Sequence, residues 1–174
     1  MRRLIAGLHT RFDFSGVEEF TVECNPATVD ADYCAALRDA GVNRISFGAQ
    51  SFNPAELKML ERHHAPADVP LALAAARAAG FDHVNLDLIY GTPGESDDDW
   101  RASLESAIGA GPDHVSAYAL IVEDGTRLAG QVRRGEIPMP DDDVLADRYL
   151  IADELLTAAG LQWYEVSNWA RSEA

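Results

Sequence analysis

Four times this chain closes a helical pattern on Ala-Gly, at Ala40-Gly41, Ala79-Gly80, Ala110-Gly111 and Ala159-Gly160, and each time a strand pattern begins within three residues of the glycine. Glycine supplies the left-handed backbone that ends a helix without a Cβ clash. The spacing predicts strands over Glu19–Cys24, Arg44–Gln50, His83–Ile89, His114–Leu120 and Gln162–Val166. Strands separated by helices of this length mean parallel βαβ units, and so an α/β fold. The helix starts carry their own punctuation: Asp30, Asn53-Pro54, Ser96 followed by Asp97 to Asp99, and Asp141 to Asp143. Side-chain oxygens there cap free amides and suit the helix dipole, so the acidic triplets are expected to be caps, not metal ligands.

The third strand carries an anomaly. In Asn85–Glu95, NLDLIYGTPGE, a lone acid, Asp87, interrupts an apolar strand that then breaks into a Gly-Pro-Gly turn. A strand covered on both faces normally reads as continuous branched aliphatics, so an ionisable group in its middle must be paired or must face a ligand. The other strands alternate in the same sense. Phe20, Val22 and Cys24 oppose Thr21 and Glu23; Ile45, Phe47 and Ala49 oppose Ser46, Gly48 and Gln50; Val84, Leu86 and Leu88 oppose Asn85 and Asp87. One face of the sheet is therefore apolar and the other polar. Glu23, Gln50 and Asp87 fall near strand carboxyl ends, where parallel α/β sheets bind ligands. Two readings of the polar face follow, a ligand-filled cavity or an internal hydrogen-bond network that fixes the sheet.

Composition removes several function classes. At 174 residues, with 47% hydrophobic and 25% charged residues, the chain fits a single globular unit. Its formal charge of −15, with 14 scattered cations, repels nucleic acid and anionic membrane surfaces. The apolar run Leu4–Leu8 is too short for a signal-peptide core and nothing approaches a membrane span, so a cytoplasmic protein is expected. Cys24 and Cys34 form neither a disulfide framework nor a metal-ligand spacing, and read as small buried hydrophobes.

Taken in order, ECNP at Glu23–Pro26, RISFGAQSF at Arg44–Phe52, the NLDLIYGTPGE run and HVSAYALIVEDGT at His114–Thr126 resemble successive strands of the radical S-adenosylmethionine (SAM) proteins related to oxygen-independent coproporphyrinogen III oxidase. The resemblance covers nearly the whole chain. WYEVSNWAR at Trp163–Arg171 looks more like the heme chaperone branch of that family than the oxidase branch. The implied fold is a partial (β/α) barrel of the radical SAM type. The implied contacts to SAM are Glu23, Gln50, Arg62 and Asp87 through side chains and Ile121 through its backbone. The chemistry suits them: Arg62 can clamp the methionyl carboxylate through two parallel hydrogen bonds, while Glu23, Gln50 and Asp87 can serve ribose hydroxyls and the amine. Heme or a porphyrin is the implied second partner. Tyr164, Trp163 and Trp169 beside Glu165 and Asn168 form a mixture suited to a planar apolar ligand with polar edges.

The departures from that family matter equally. The [4Fe–4S] cluster of radical SAM proteins needs a CxxxCxxC loop, and neither this triplet nor the usual GGGTP turn occurs here. The chain is expected to be a fragment that lacks the first two βα units and runs, over residues 141 to 174, toward a missing carboxyl-terminal domain. Such a fragment should not perform radical chemistry. It should expose the Glu19–Cys24 strand as an edge open to self-association, with Arg2–Phe14 folding back as a partial helical cover. Among other classes, a Schiff-base aldolase needs a lysine at a strand end, but the only lysine, Lys58, lies on a helix pattern. His63 and His64 are adjacent and read as solvated, not as metal or heme ligands. A phosphate-sugar barrel enzyme using the Gly91–Gly94 turn as an anion cradle is the weaker competitor. Heme chaperone and oxidase both remain open at this level, because SAM contacts are common to them.

Overall fold

The computed structural model describes residues 1–171. Its elements run α1 (Arg2–His9), β1 (Thr21–Cys24), a 3-10 turn (Pro26–Thr28), α2 (Ala31–Asp39), β2 (Arg44–Gln50), α3 (Pro54–Met59), α4 (Asp68–Ala78), β3 (His83–Tyr90), α5 (Asp97–Ala110), β4 (His114–Ala119), α6 (Arg127–Arg133), α7 (Asp142–Ala158), β5 (Gln162–Glu165) and β6 (Asn168–Ala170). One six-stranded sheet joins them in the order β1-β2-β3-β4-β6-β5. The first four strands are parallel neighbours. The glycines that close α2, α4, α5 and α7 all take positive φ, so the repeated Ala-Gly pair is the stop signal for each helix.

The expected caps are in place. Asp30, Asn53, Ser96 and Asp141 each accept a backbone N–H in the first turn of the helix they precede. Ser96 and Asp99 make a reciprocal capping box. The acidic triplets therefore do structural work at helix starts.

The end of the chain departs from the parallel pattern. β6 pairs antiparallel with β4, and β5 pairs antiparallel with β6. Only Val166 and Ser167 separate β5 from β6, a connection too short for a crossover, so the two strands must form a hairpin. The hairpin brings Trp169 into the core, where its indole N–H donates to Asp153 Oδ1 at 2.9 Å.

The core lies between the apolar sheet face and the helices, with Val22, Ile45, Phe47, Leu86, Leu88, Val115 and Ala117 buried against residues such as Leu37, Leu73, Trp100, Leu104 and Leu156. Trp100 of α5 donates its indole N–H to the carbonyl of Arg148 on α7 at 2.9 Å, tying two helices of this layer. β1 forms one edge of the sheet. Helix α1 packs Ile5 into the core, and His9 Nε2 lies 3.2 Å from the Ala40 carbonyl, so the leading segment is the partial cover that the sequence predicts.

Candidate functional site

Parallel register turns the sequence alternation into rows. On the polar face, Thr21, Arg44 and His83 form one row; Glu23, Ser46, Asn85 and His114 form the next; Gly48, Asp87 and Ser116 form a third, nearer the strand carboxyl ends. Neighbours within a row are about 4.8 Å apart, the spacing of paired strands, so their side chains can touch. Asp87 is held from two sides. Ser46 Oγ donates to Asp87 Oδ2 at 2.7 Å, and Asn85 Nδ2 donates to Asp87 Oδ1 at 2.8 Å. Asn85, Ser46 and Ser116 are buried, while Asp87 remains partly accessible. One residue is thus both part of an internal network and partly open to solvent.

Gln50 reaches the same row by an irregularity. The β2–β3 register shifts between Gly48 and Gln50, and Gln50 takes a left-handed backbone with φ of 64°. Its amide folds back over Gly48, the row neighbour of Asp87. Glu23 lies exposed one row nearer the amino ends, beside Ser46. The sheet therefore brings Glu23, Gln50 and Asp87 to one face. Arg62 and Ile121 are off the sheet: Arg62 is exposed in the segment after α3, and Ile121 is 71% exposed just beyond β4.

Three side chains near this face differ from the sequence reading. His64 is buried, not solvated, with Nε2 2.9 Å from the Ala49 carbonyl; the acceptor is a carbonyl, so Nε2 carries the hydrogen. His63 is exposed. Burial of His64 depends on a turn after α3 that two adjacent histidines do not encode. His114, which the strand alternation did not single out, and Tyr164, read in the sequence as a planar-ligand aromatic, instead join the network of the polar face. His114 Nδ1 lies 2.5 Å from Asn85 Oδ1, and Nε2 lies 2.8 Å from Tyr164 Oη. Burial, reinforced by Arg44 and opposed by Asp87 and Glu19, pushes the His114 imidazole down to about 4, so it is neutral at physiological pH. A signal for His114 existed, since it alternates with Ser116 on the polar face; Tyr164 needed the antiparallel hairpin.

The hairpin aromatics do not form a single platform. Trp169 is buried in the core, Tyr164 meets His114 on the polar face, and Trp163 pairs with Trp169 in the ladder while remaining 53% exposed. The planar-ligand arrangement expected of WYEVSNWAR is therefore not assembled by these three residues. The polar face also opens into a cavity of about 290 Å³ at the strand amino ends, lined by Glu19, Arg44, His83, His114 and Tyr164. That cavity lies at the opposite end of the strands from Gln50, the last residue of β2.

The Gly91–Gly94 turn already carries an anion of its own. Glu95 Oε2 accepts the Gly91 N–H at 2.6 Å and lies 2.8 Å from Arg148 Nη1 in a buried ion pair. Gly91 has positive φ, and a Cβ there would lie 2.2 Å from Leu145 Cδ2 of α7, so the turn needs glycine for packing as well as for its backbone. With its own carboxylate in the turn, and Asp97, Asp98 and Asp99 in the first turn of α5, this is no phosphate cradle. The phosphate-sugar enzyme reading fails on that geometry.

An iron–sulfur cluster would need thiolates, and this chain has two cysteines. Cys34 is buried and Cys24 is half-buried; burial pushes the Cys24 thiol up to about 11 and raises Cys34 as well. Cluster ligands are thiolates, four to a cubane when protein supplies them all. Among the described residues no group of three or more His, Cys, Asp or Glu side chains is placed to hold a metal ion. The thiols present do not fit the cluster. The polar row does fit a small cationic ligand with hydroxyls: an oriented carboxylate, an amide that both donates and accepts, and a further acid share one face.

Comparison with known proteins places this geometry in context. A profile of the Radical SAM superfamily matches residues 2–107. The heme chaperone HemW of Mycobacterium tuberculosis is 56% identical over 88% of this chain, and that of Escherichia coli is 40% identical over 98% of it. The chain spans 39% and 44% of the length of those two relatives. The solved structure of coproporphyrinogen III oxidase (HemN) from Escherichia coli, a radical SAM enzyme, superposes with a TM-score of 0.84 at 26% identity, covering 99% of this chain and 39% of the oxidase.

Proposed function

The chain belongs to the Radical SAM superfamily, and we propose that it is the SAM-holding part of a HemW-like heme chaperone. The observation that carries this reading is the Asp87 carboxylate, fixed by Ser46 and Asn85 yet still accessible, with the Gln50 amide folded into its row. In the proposed arrangement Glu23, Gln50 and Asp87 serve the ribose hydroxyls and amine of SAM. Arg62 receives the methionyl carboxylate, and Ile121 offers its backbone. The charge of −15 suits a cofactor that brings a sulfonium and an ammonium.

Radical SAM proteins pair SAM with a [4Fe–4S] cluster, which supplies the electron for cleaving it. The two cysteines of this chain are not its ligands, so the reading assigns this chain cofactor binding and not radical generation. Residues 1–174 act as one partial core domain, with the stretch from Asp141 leading toward further segments of the kind its longer relatives carry. Heme is the proposed cargo of the completed protein, and its site lies outside the three hairpin aromatics. A cytoplasmic location accompanies the reading and is supported by two cysteines that stay free. Self-association through the β1 edge is proposed for the chain when it stands alone.

Oxidase activity is the second reading, favoured by the TM-score of 0.84 to HemN; the higher identity to HemW relatives favours the chaperone. A chain completed with the flanking segments its relatives carry, incubated anaerobically with a reductant, SAM and coproporphyrinogen III, and in parallel with heme, distinguishes them. Heme retention without protoporphyrinogen formation is expected. Sustained protoporphyrinogen formation would establish the oxidase instead.

A further inference from the structure

The orientation of Asp87 is set by a sequence of hydrogen bonds that begins on the last hairpin. Ser46 gives its one proton to Asp87 Oδ2, so its oxygen must accept from Asn85, whose Nδ2 lies 2.7 Å away. That fixes the amide: Nδ2 points to Ser46 and Asp87, and Oδ1 points to His114. A carbonyl oxygen can only accept, so the hydrogen between Asn85 Oδ1 and His114 Nδ1 belongs to the imidazole. A neutral imidazole has only one such hydrogen. His114 Nε2 is therefore an acceptor, and Tyr164 Oη donates to it at 2.8 Å. Ser116 Oγ, 3.4 Å from Asn85 Oδ1, adds a second donor on the same side. Every donor in the series meets an acceptor, and reversing any one member would set like against like.

We infer that His114 is a positioning residue for the cofactor site: held by Tyr164 as the neutral Nδ1–H tautomer, it keeps Asn85 turned so that the amide nitrogen fixes Asp87 toward SAM. With Asn85 reversed, its Oδ1 would face Asp87 Oδ1, two acceptors in contact, and the carboxylate would swing away. The β5–β6 hairpin is thereby linked, through His114 and Asn85, to Asp87 on β3. The inference rests on the reading that Asp87 contacts SAM, and the test separates the two.

Asparagine can place an amide donor where His114 Nδ1 stands, and glutamine can reach the Nε2 position but leaves Nδ1 empty. His114→Asn and His114→Gln remove similar packing, so a role in packing alone predicts equal losses. In the completed chain, SAM titrations should show His114→Asn within about threefold of the parent and His114→Gln weaker by about tenfold, the effect of one lost hydrogen bond at a buried polar site. Asp87→Ala is the control. If Asp87→Ala abolishes binding while the Asn and Gln variants bind alike, the positioning role is overturned and the cofactor reading stands. If Asp87→Ala binds SAM normally, the cofactor reading fails and the positioning role with it. A second measurement is independent of SAM and of any variant's folding: imidazole 15N spectra of the 174-residue chain should show His114 protonated at Nδ1 and not at Nε2. Protonation at Nε2 would overturn the inference outright.

Discussion

The side-chain amide of Gln50 lies folded over Gly48, so close that a Cβ at residue 48 would stand 2.6 Å from Gln50 Nε2. The fold depends on a backbone that an L residue seldom adopts, with φ of 64° at Gln50, a conformation costing about 1 to 3 kcal/mol for a non-glycine residue. It is pinned at Ala49, whose carbonyl accepts both the Ser51 N–H at 2.8 Å and the His64 Nε2 hydrogen at 2.9 Å. Strain of this kind persists where surrounding bonds over-determine it, and here it delivers a bifunctional amide to the Asp87 row.

Gly48→Ala tests that delivery. The added methyl meets the end of a flexible side chain, so Gln50 is displaced while the sheet survives. SAM affinity of the completed chain should fall by about tenfold, one lost polar contact, with thermal stability little changed. Calorimetric titration beside a melting curve checks both. Unchanged affinity would remove Gln50 from the site.

Glu95 gives the fold a pH dependence of definite sign. Burial, with a contribution from Glu56, pushes its carboxyl up to about 7 against the opposing Gly91 N–H and Arg148. The folded chain therefore holds this proton more tightly than the unfolded chain does. Its contribution to stability is full below the ordinary glutamate value and is lost as pH rises through about 7. Glu95→Gln cannot titrate. The melting temperature of the parent minus that of Glu95→Gln should be larger at about pH 5 than at about pH 8, on either side of the shifted value. A constant or reversed difference would contradict the assignment.

Much of this arrangement was readable from residue order, and the losses have physical causes. β2 runs from Arg44 to Gln50 as the alternation predicts, and Asp30, Asn53, Ser96 and Asp141 cap the helices they mark. These are local features, set by sterics and hydrogen bonding within a few residues. The polar face was also legible, because a period of two survives any packing of the strands. The β5–β6 hairpin was not: Gln162 to Ala170 mixes aromatic and polar residues with no glycine or proline to mark a turn, and only the tertiary fold decides that β6 lies beside β4. With the hairpin went Tyr164, and with Tyr164 the role of His114. The buried His64 was lost for a similar reason, since its partner, the Ala49 carbonyl, is freed by a bulge that sequence does not announce.

The thiols carry a third prediction. Cys24, pushed up to about 11 by burial, and Cys34, raised likewise, give up their protons less readily than free thiols, and two cysteines cannot supply the four thiolates of a cubane. Anaerobic reconstitution of the 174-residue chain with iron and sulfide should leave it essentially iron-free. Iron and sulfide analysis checks this. About four irons per chain, the content of a cubane cluster, would contradict it.

The central claim is that the polar face of β1 to β3 holds SAM, and SAM affinity of the completed chain carrying Glu23→Ala or Asp87→Ala tests it most directly. Both substitutions spare the apolar core, so the account predicts a fall of about tenfold or more in SAM affinity in both variants; the melting curve of Glu23→Ala stays close to the parent, while that of Asp87→Ala is lowered because Ser46 and Asn85 lose their buried acceptor. Parent-like SAM binding by both would contradict the account and leave the row as a network that only fixes the sheet.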